Sequence, residues 1–139
     1  MKIYIASSWR NQHAVEMLTR LLREKGHTVM SWIENNYGEN HGKNTMQPFE
    51  AWLKSESAGR AFKFGTEAAA TCDVLIYVGV GGKDAATECG IAYANGAYMI
   101  ALWAKGEDFG LMRKMFGDNW FERYDEVLSI IDAISTDFT

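Results

Sequence analysis

Residues 72–83 read Cys72-Asp-Val-Leu-Ile-Tyr-Val78, followed at once by Gly79-Val-Gly-Gly-Lys83. An unbroken apolar run rich in β-branched and aromatic residues suits a strand covered on both faces, and such strands belong to parallel sheets. The glycines end the run abruptly. Asp84 can then cap a helix running to Asn95, with Gly96 as its C-terminal stop. Strand, tight turn and helix make half of a β-α-β unit, and the flanking sequence is read from there.

Upstream, Lys2-Ile-Tyr-Ile-Ala6 is a short apolar strand that stops at Ser7-Ser8. From Asn11 to Lys25 the apolar residues Ala14, Val15, Leu18, Leu21 and Leu22 keep helical spacing, and Gly26 ends the helix. His27 to Ile33 reads as a second strand. Glu34 to Gln47 is polar, holds Gly38 and Gly42 and lacks periodicity, so a mobile covering loop is expected there. Pro48 suits the start of a helix through Ser55, and a second helix covers Ala58 to Thr71. Downstream, Tyr98 to Trp103 is a fourth strand and Phe109 to Phe116 a short helix. Trp120 to Tyr124 is a last strand, and Glu126 to Ile134 a closing helix. The alternation predicts one domain over residues 1–139, an α/β flavodoxin-like (Rossmann-like) three-layer sandwich. Its five-stranded parallel sheet should run in the order 2-1-3-4-5. Ligands of such sheets bind beyond the carboxyl ends of the strands, here Ser7 to Asn11 and Gly79 to Glu88.

Composition narrows the partners. Fourteen basic against eighteen acidic side chains leave a net charge of −4, which excludes the cationic surface that a duplex nucleic acid needs. No run approaches the roughly 20 apolar residues of a membrane span. The opening Met1-Lys-Ile-Tyr-Ile-Ala-Ser-Ser-Trp-Arg-Asn11 turns polar too soon for a secretory signal, so a cytoplasmic protein is expected. Cys72 and Cys89 make neither a disulfide framework nor a four-ligand set, and His13, His27 and His41 lack ligand spacing. No metal and no cofactor are expected.

Two turns carry the chemistry. Ser7-Ser8-Trp9-Arg10-Asn11 joins hydroxyls and a guanidinium to the free amides of a helix start, a combination that can hold a phosphate. The plain alternative is that Ser8 caps the helix while Arg10 points to solvent. The glycine turn is not a Walker loop, since Tyr77 stands where its first glycine belongs and Asp84 replaces the Ser or Thr. It also misses the dinucleotide fingerprint. What remains is a turn whose amides at Gly79, Gly81 and Gly82 can approach a ligand. Just beyond, Glu88 is expected in the first helical turn among the small residues Gly90 and Ala92. It either complements the helix dipole or faces a sugar.

Three segments resemble the nucleoside 2-deoxyribosyltransferase superfamily, which includes the 2′-deoxynucleoside 5′-phosphate N-hydrolases: Lys2 to Arg10, Cys72 to Val78, and Glu88-Cys-Gly-Ile-Ala-Tyr-Ala-Asn-Gly96. The likeness spans about residues 1–103. It implies that Glu88 is a nucleophile attacking the anomeric carbon and that Tyr4 positions this carboxylate. It also implies that Ser8, Trp9 and Arg10 grip a 5′-phosphate, on a small-molecule nucleoside or nucleotide, within a homodimer or higher homo-oligomer. A carboxylate suits this chemistry because breaking a glycosidic bond builds oxocarbenium character on the sugar. The chain departs from the family at Gly65, where an aspartate ordinarily helps protonate the leaving base; Glu67 turns to another face, and Asp84 is a further candidate acid. Asp73, at the far end of its strand, reads as structural. Trp9, Trp32, Tyr37 and Trp52 are candidates to cover a base. Two other readings stand beside this one. A Toll/interleukin-receptor-like NAD glycohydrolase shares the sheet and a glutamate near a flexible loop, and a non-catalytic nucleotide-binding module would explain the missing acid.

Overall fold

The computed structural model describes residues 1–36 and 48–136. At its centre, β3 (Val74–Val78) is buried at every position, as its unbroken apolar run requires. It pairs in parallel with β1 (Lys2–Ala6) on one side and with β4 (Tyr98–Leu102) on the other. The edges are β2 (Thr28–Met30) and β5 (Trp120–Phe121), giving the expected order β2-β1-β3-β4-β5. The order reverses between β1 and β3, so their carboxyl ends open the crevice of a flavodoxin-like sheet.

Six α-helices flank the sheet among the described residues: α1 (Gln12–Glu24), α2 (Trp32–Asn36), α3 (Phe49–Leu53), α4 (Glu56–Thr71), α5 (Gly82–Ala94) and α6 (Tyr124–Ser135). α1 buries Val15, Leu18, Thr19 and Leu22, the inward stripe of an amphipathic helix, and packs on β2. α5 lies across β1, β3 and β4, with α4 packed against it, and α6 covers β4. Asp73 is structural, as its place at the amino end of β3 suggested: its carboxylate accepts from the Lys2 backbone N–H at 2.8 Å.

Several boundaries differ from the sequence reading, each for a local reason. The second strand stops at Met30 because Ser31 starts a helix; its hydroxyl accepts from the Glu34 N–H at 3.2 Å. Trp32 and Ile33 are therefore buried from a helix rather than a strand, and the Trp32 indole donates to the Ile5 carbonyl at 2.7 Å. Glu34 accordingly belongs to α2, where Arg23 grips it through two 2.7 Å bonds. The rest of the expected cover, residues 37–47 with Tyr37 and His41, lies outside the described residues. Cys72 caps α4 instead of opening β3. The helix expected from Phe109 is a 3-10 turn over Leu111–Phe116. α6 begins at Tyr124 because the Glu126 carboxylate accepts from the Arg123 N–H at 3.2 Å, which ends β5 early.

Ile76 sits at the middle of β3 with no exposed surface. Truncating it to alanine should cost about 2–5 kcal/mol, and Ile76→Val about 0.5–1.5 kcal/mol, in urea unfolding. Equal small losses for both would contradict a closely packed centre.

Candidate active site

Glu88 stands on α5 six residues past Gly82, in the second turn rather than the first. The helix begins at Gly82, with Gly81 as its N-cap, so Asp84 does not cap it. Asp84 lies within the first turn, where its charge meets the positive end of the helix dipole. Tyr4, fully buried in β1, donates its hydroxyl to Glu88 Oε2 at 2.8 Å. Glu88 Oε1 has no hydrogen-bond partner among the described residues.

Burial dominates the electrostatics of this pair. It pushes the Glu88 carboxyl up to about 7; the Tyr4 hydrogen bond pulls the other way and the charge of Asp84 adds to the rise. Burial, then the neighbouring carboxylate, holds the Tyr4 phenol well above its ordinary value, so it remains a donor throughout the working range.

The pair lies in a pocket of about 740 Å³. One wall comes from α4: Ala58, Ala61, Phe62, Gly65 and Thr66 line it at helical spacing i, i+3, i+4, i+7, i+8. The opposite wall comes from α5, where Asp84, Thr87, Glu88 and Ile91 repeat the pattern i, i+3, i+4, i+7. Phe49, Trp52 and Leu53 of α3 form an apolar rim, with Phe49 63% and Phe62 73% exposed. Of the rim and the α4 wall the sequence singles out Trp52 but neither the stripe as such nor Phe49 and Leu53. The signal was present in the small residues repeating at helical spacing along α4. Lys83, quoted only as the end of the glycine turn, is the basic residue of the described lining.

Of the residues singled out from sequence, the fold brings Tyr4, Ser7, Ser8, Trp9, Gly81, Asp84 and Glu88 to this pocket. Arg10, in the 3-10 turn Trp9–Asn11, is exposed beside it and outside its lining. Glu67 is exposed and also outside it. Trp9 meets Trp32 edge to face, with centroids 5.1 Å apart, and both line the pocket. Ser7 spends its hydroxyl on the fold, donating to the Val78 carbonyl at 2.7 Å and accepting from Asn11 Nδ2 at 3.0 Å. Asn11 also donates to the Val80 carbonyl at 2.9 Å, so the two strand-end turns are tied together. Ser8 makes no capping bond.

The glycine turn has a packing explanation that spacing alone did not reveal. Glu107 lies behind it, accepting from the Tyr77 hydroxyl through Oε2 and from the Ala104 N–H at 3.0 Å through Oε1. The Tyr77 oxygen in turn accepts from the Gly81 N–H at 2.8 Å. A Cβ at Gly79 would overlap the Glu107 carboxylate, and one at Gly81 would lie 2.6 Å from the Tyr77 ring. Gly82 takes a left-handed φ of 84°. Gly79 and Gly82 lie outside the pocket lining.

No protein-family model matches the chain, and no curated protein matches it significantly by sequence. Solved structures do. The chain superposes on a 2-deoxyribosyltransferase from Bacillus psychrosaccharolyticus with a TM-score of 0.63 and 26% identity, covering 91% of this chain and 90% of that one. It shares its fold with the Clostridium botulinum CMP N-glycosidase BcmB, with a TM-score of 0.59 and 20% identity over 96% and 98% of the two chains. The resemblance to the nucleoside 2-deoxyribosyltransferase superfamily is therefore one of architecture as well as of sequence motif.

Glu88 also gives stability a pH dependence. Its carboxyl is raised from 4.5 to about 7 in the folded chain, so the folded state keeps a proton that the unfolded chain releases. That contribution is full below the unfolded value and is lost as pH rises through about 7. Glu88→Gln should gain about 1–2 kcal/mol on the parent between pH 4 and pH 8, after allowance for partial exposure. A difference independent of pH in urea titrations would show that the carboxyl is not so perturbed.

Proposed function

We propose that the chain cleaves or transfers the N-glycosidic bond of a (deoxy)nucleoside or nucleoside 5′-monophosphate, with Glu88 as nucleophile. The observation that carries this reading is the half-buried carboxylate, held through one oxygen by Tyr4 at the strand ends and facing a pocket with an aromatic rim. The structural neighbours named above support it, since one is a 2-deoxyribosyltransferase and the other a CMP N-glycosidase.

In this mechanism the ionised Glu88 carboxylate attacks C1′ as the C1′–N bond breaks, and the base leaves with the bonding electron pair and gains a proton. Asp84 is the other carboxylate of the described pocket lining, one turn before Glu88, and is assigned to assist that protonation. Water, or a second base, then attacks the anomeric carbon of the sugar ester and frees Glu88. Tyr4 keeps its proton and fixes the carboxylate. Phe49 and Trp52 of the rim, with Phe62 of the α4 wall, suit a flat base, whose faces stack on aromatic rings. Ser8, Trp9 and Arg10 are assigned to a 5′-phosphate at the neighbouring turn.

A panel of nucleosides, their monophosphates and NAD, with free base detected, tests the reading. Glu88→Gln preserves shape but removes the nucleophilic charge, and base release should fall by about three orders of magnitude or more while the fold is retained. A 2′-fluoro-2′-deoxynucleotide should trap a sugar ester that peptide mass mapping places on Glu88. Full activity in Glu88→Gln, or an ester elsewhere, would overturn the assignment; turnover of NAD alone would favour the glycohydrolase reading. No turnover at all, with binding that survives Glu88→Gln, would make the chain a binding module.

Arg10 gives a separate test. A charge-assisted hydrogen bond is worth about 1.5–3 kcal/mol, so Arg10→Ala should weaken use of the monophosphate roughly ten- to a hundredfold relative to the nucleoside. Equal losses on the two substrates would remove Arg10 from phosphate recognition.

A further inference from the structure

We propose that Gly65 is a positioning residue: the absence of a side chain at this point of α4 fixes where the Glu88 carboxylate stands and keeps it on Tyr4. The inference rests on the reading of Glu88 as nucleophile, but it has a readout that does not require turnover.

Gly65 lies buried in the interior of α4, a helix of 16 residues, where glycine is a poor helix former. Its backbone does not call for glycine, because its φ is not positive. What it lacks room for is a Cβ. One built there would lie 2.5 Å from Glu88 Oε2, 3.7 Å from Glu88 Cδ and 3.6 Å from the Tyr4 hydroxyl. The nearest atoms are thus the functional atoms of the Tyr4–Glu88 pair rather than the backbone of the facing helix. Gly59, on the same helix, has nothing within 4 Å of its own added Cβ. The two glycines of α4 therefore separate helix propensity from clearance. A contact of 2.5 Å cannot persist, and the atom that can yield is the end of a flexible side chain. An alanine at position 65 would consequently leave the helix in place and swing the carboxylate off the tyrosine.

A longer side chain at 65 and the present Glu88 rotamer are mutually exclusive. The glycine that stands where the resemblance leads one to expect an acid is thus the residue that leaves this rotamer room.

The test compares Gly65→Ala, Gly59→Ala, Tyr4→Phe and the double variant Gly65→Ala/Tyr4→Phe. The carboxyl carbon of Glu88 is titrated by NMR in each. The groups that act on it are Tyr4 from β1 and Asp84 on its own helix. Losing the Tyr4 hydrogen bond removes the interaction that lowers the Glu88 titration point, so that point should rise in Tyr4→Phe. Gly65→Ala, which also alters the carboxyl's burial, should move it, and adding Tyr4→Phe to Gly65→Ala should move it no further. Gly59→Ala should titrate like the parent. Thermal midpoints of both alanine variants should equal or exceed that of the parent. On the monophosphate the parent turns over fastest, Gly65→Ala should lower kcat by about a hundredfold with little change in KM. The acid limb of its pH profile should move with that titration point.

A Gly65→Ala titration identical to the parent's would overturn the inference, as would additive shifts in the double variant. Loss of the cooperative fold in Gly65→Ala would overturn it as well, because the backbone would then be what yields. Glu88→Gln keeping full activity while the titrations behave as expected would instead remove the nucleophile reading and leave the positioning role standing.

Discussion

A single hydrogen bond, from the Tyr4 hydroxyl to Glu88 Oε2, is the interaction on which the site depends. A carboxylate taken out of water resists ionisation, and the phenol is the group on hand that favours its charged form. Tyr4 is itself buried, and burial with the neighbouring carboxylate holds its phenol well above the ordinary value, which favours its role as donor. The partners lie 84 residues apart, so the bond exists only once β1 has paired with β3. In that register Tyr4 lies opposite Leu75, and the strand pairing that builds the core also aims the phenol at α5.

The surrounding glycines serve this arrangement in two different ways. Gly65 clears the front of the carboxylate. Gly79 and Gly81 clear the back of the turn, where Glu107 and the Tyr77 ring press against it and the Tyr77 oxygen holds the Gly81 N–H. The second set fixes where α5 begins and hence where its second turn delivers Glu88. A glycine-rich turn at strand ends is easily read as a ligand cradle. Here, clearance from side chains of the same chain explains Gly79 and Gly81 without a ligand.

This difference marks what the sequence could disclose. The parallel sheet and its order follow from local patterns: the buried run of β3, the amphipathic stripe of α1 and the alternation of strand with helix. Glu88 is legible from its place just past the glycine turn, and Tyr4 from the resemblance of the first segment to a known family. The start of α5, however, depends on contacts from residues 77 and 107, and no spacing rule reports a tertiary contact. The end of β2 is hidden for a simpler reason. Ser31 sits within an apolar, strand-like run, yet its hydroxyl starts a helix. The α4 wall was legible in principle, since Ala58, Ala61, Gly65 and Thr66 repeat at helical spacing. Small residues look like helix filler until the helix is known to face a cavity.

The pocket's two walls differ in character. α5 carries the acidic groups, Asp84 and Glu88, close to its own positive end, whereas α4 contributes small or apolar side chains and Thr66. Thr66 spends its hydroxyl on the Phe62 and Lys63 carbonyls of its own helix, so Oε1 of Glu88 is unpaired among the described residues while Oε2 is held. Had α4 aimed a donor at the carboxylate, it would be better solvated and more easily ionised, but both its oxygens would be engaged. Burial, one donor and one clearance therefore act together: burial raises the carboxyl, Tyr4 keeps its ionisation within reach of neutral pH, and Gly65 lets the two meet.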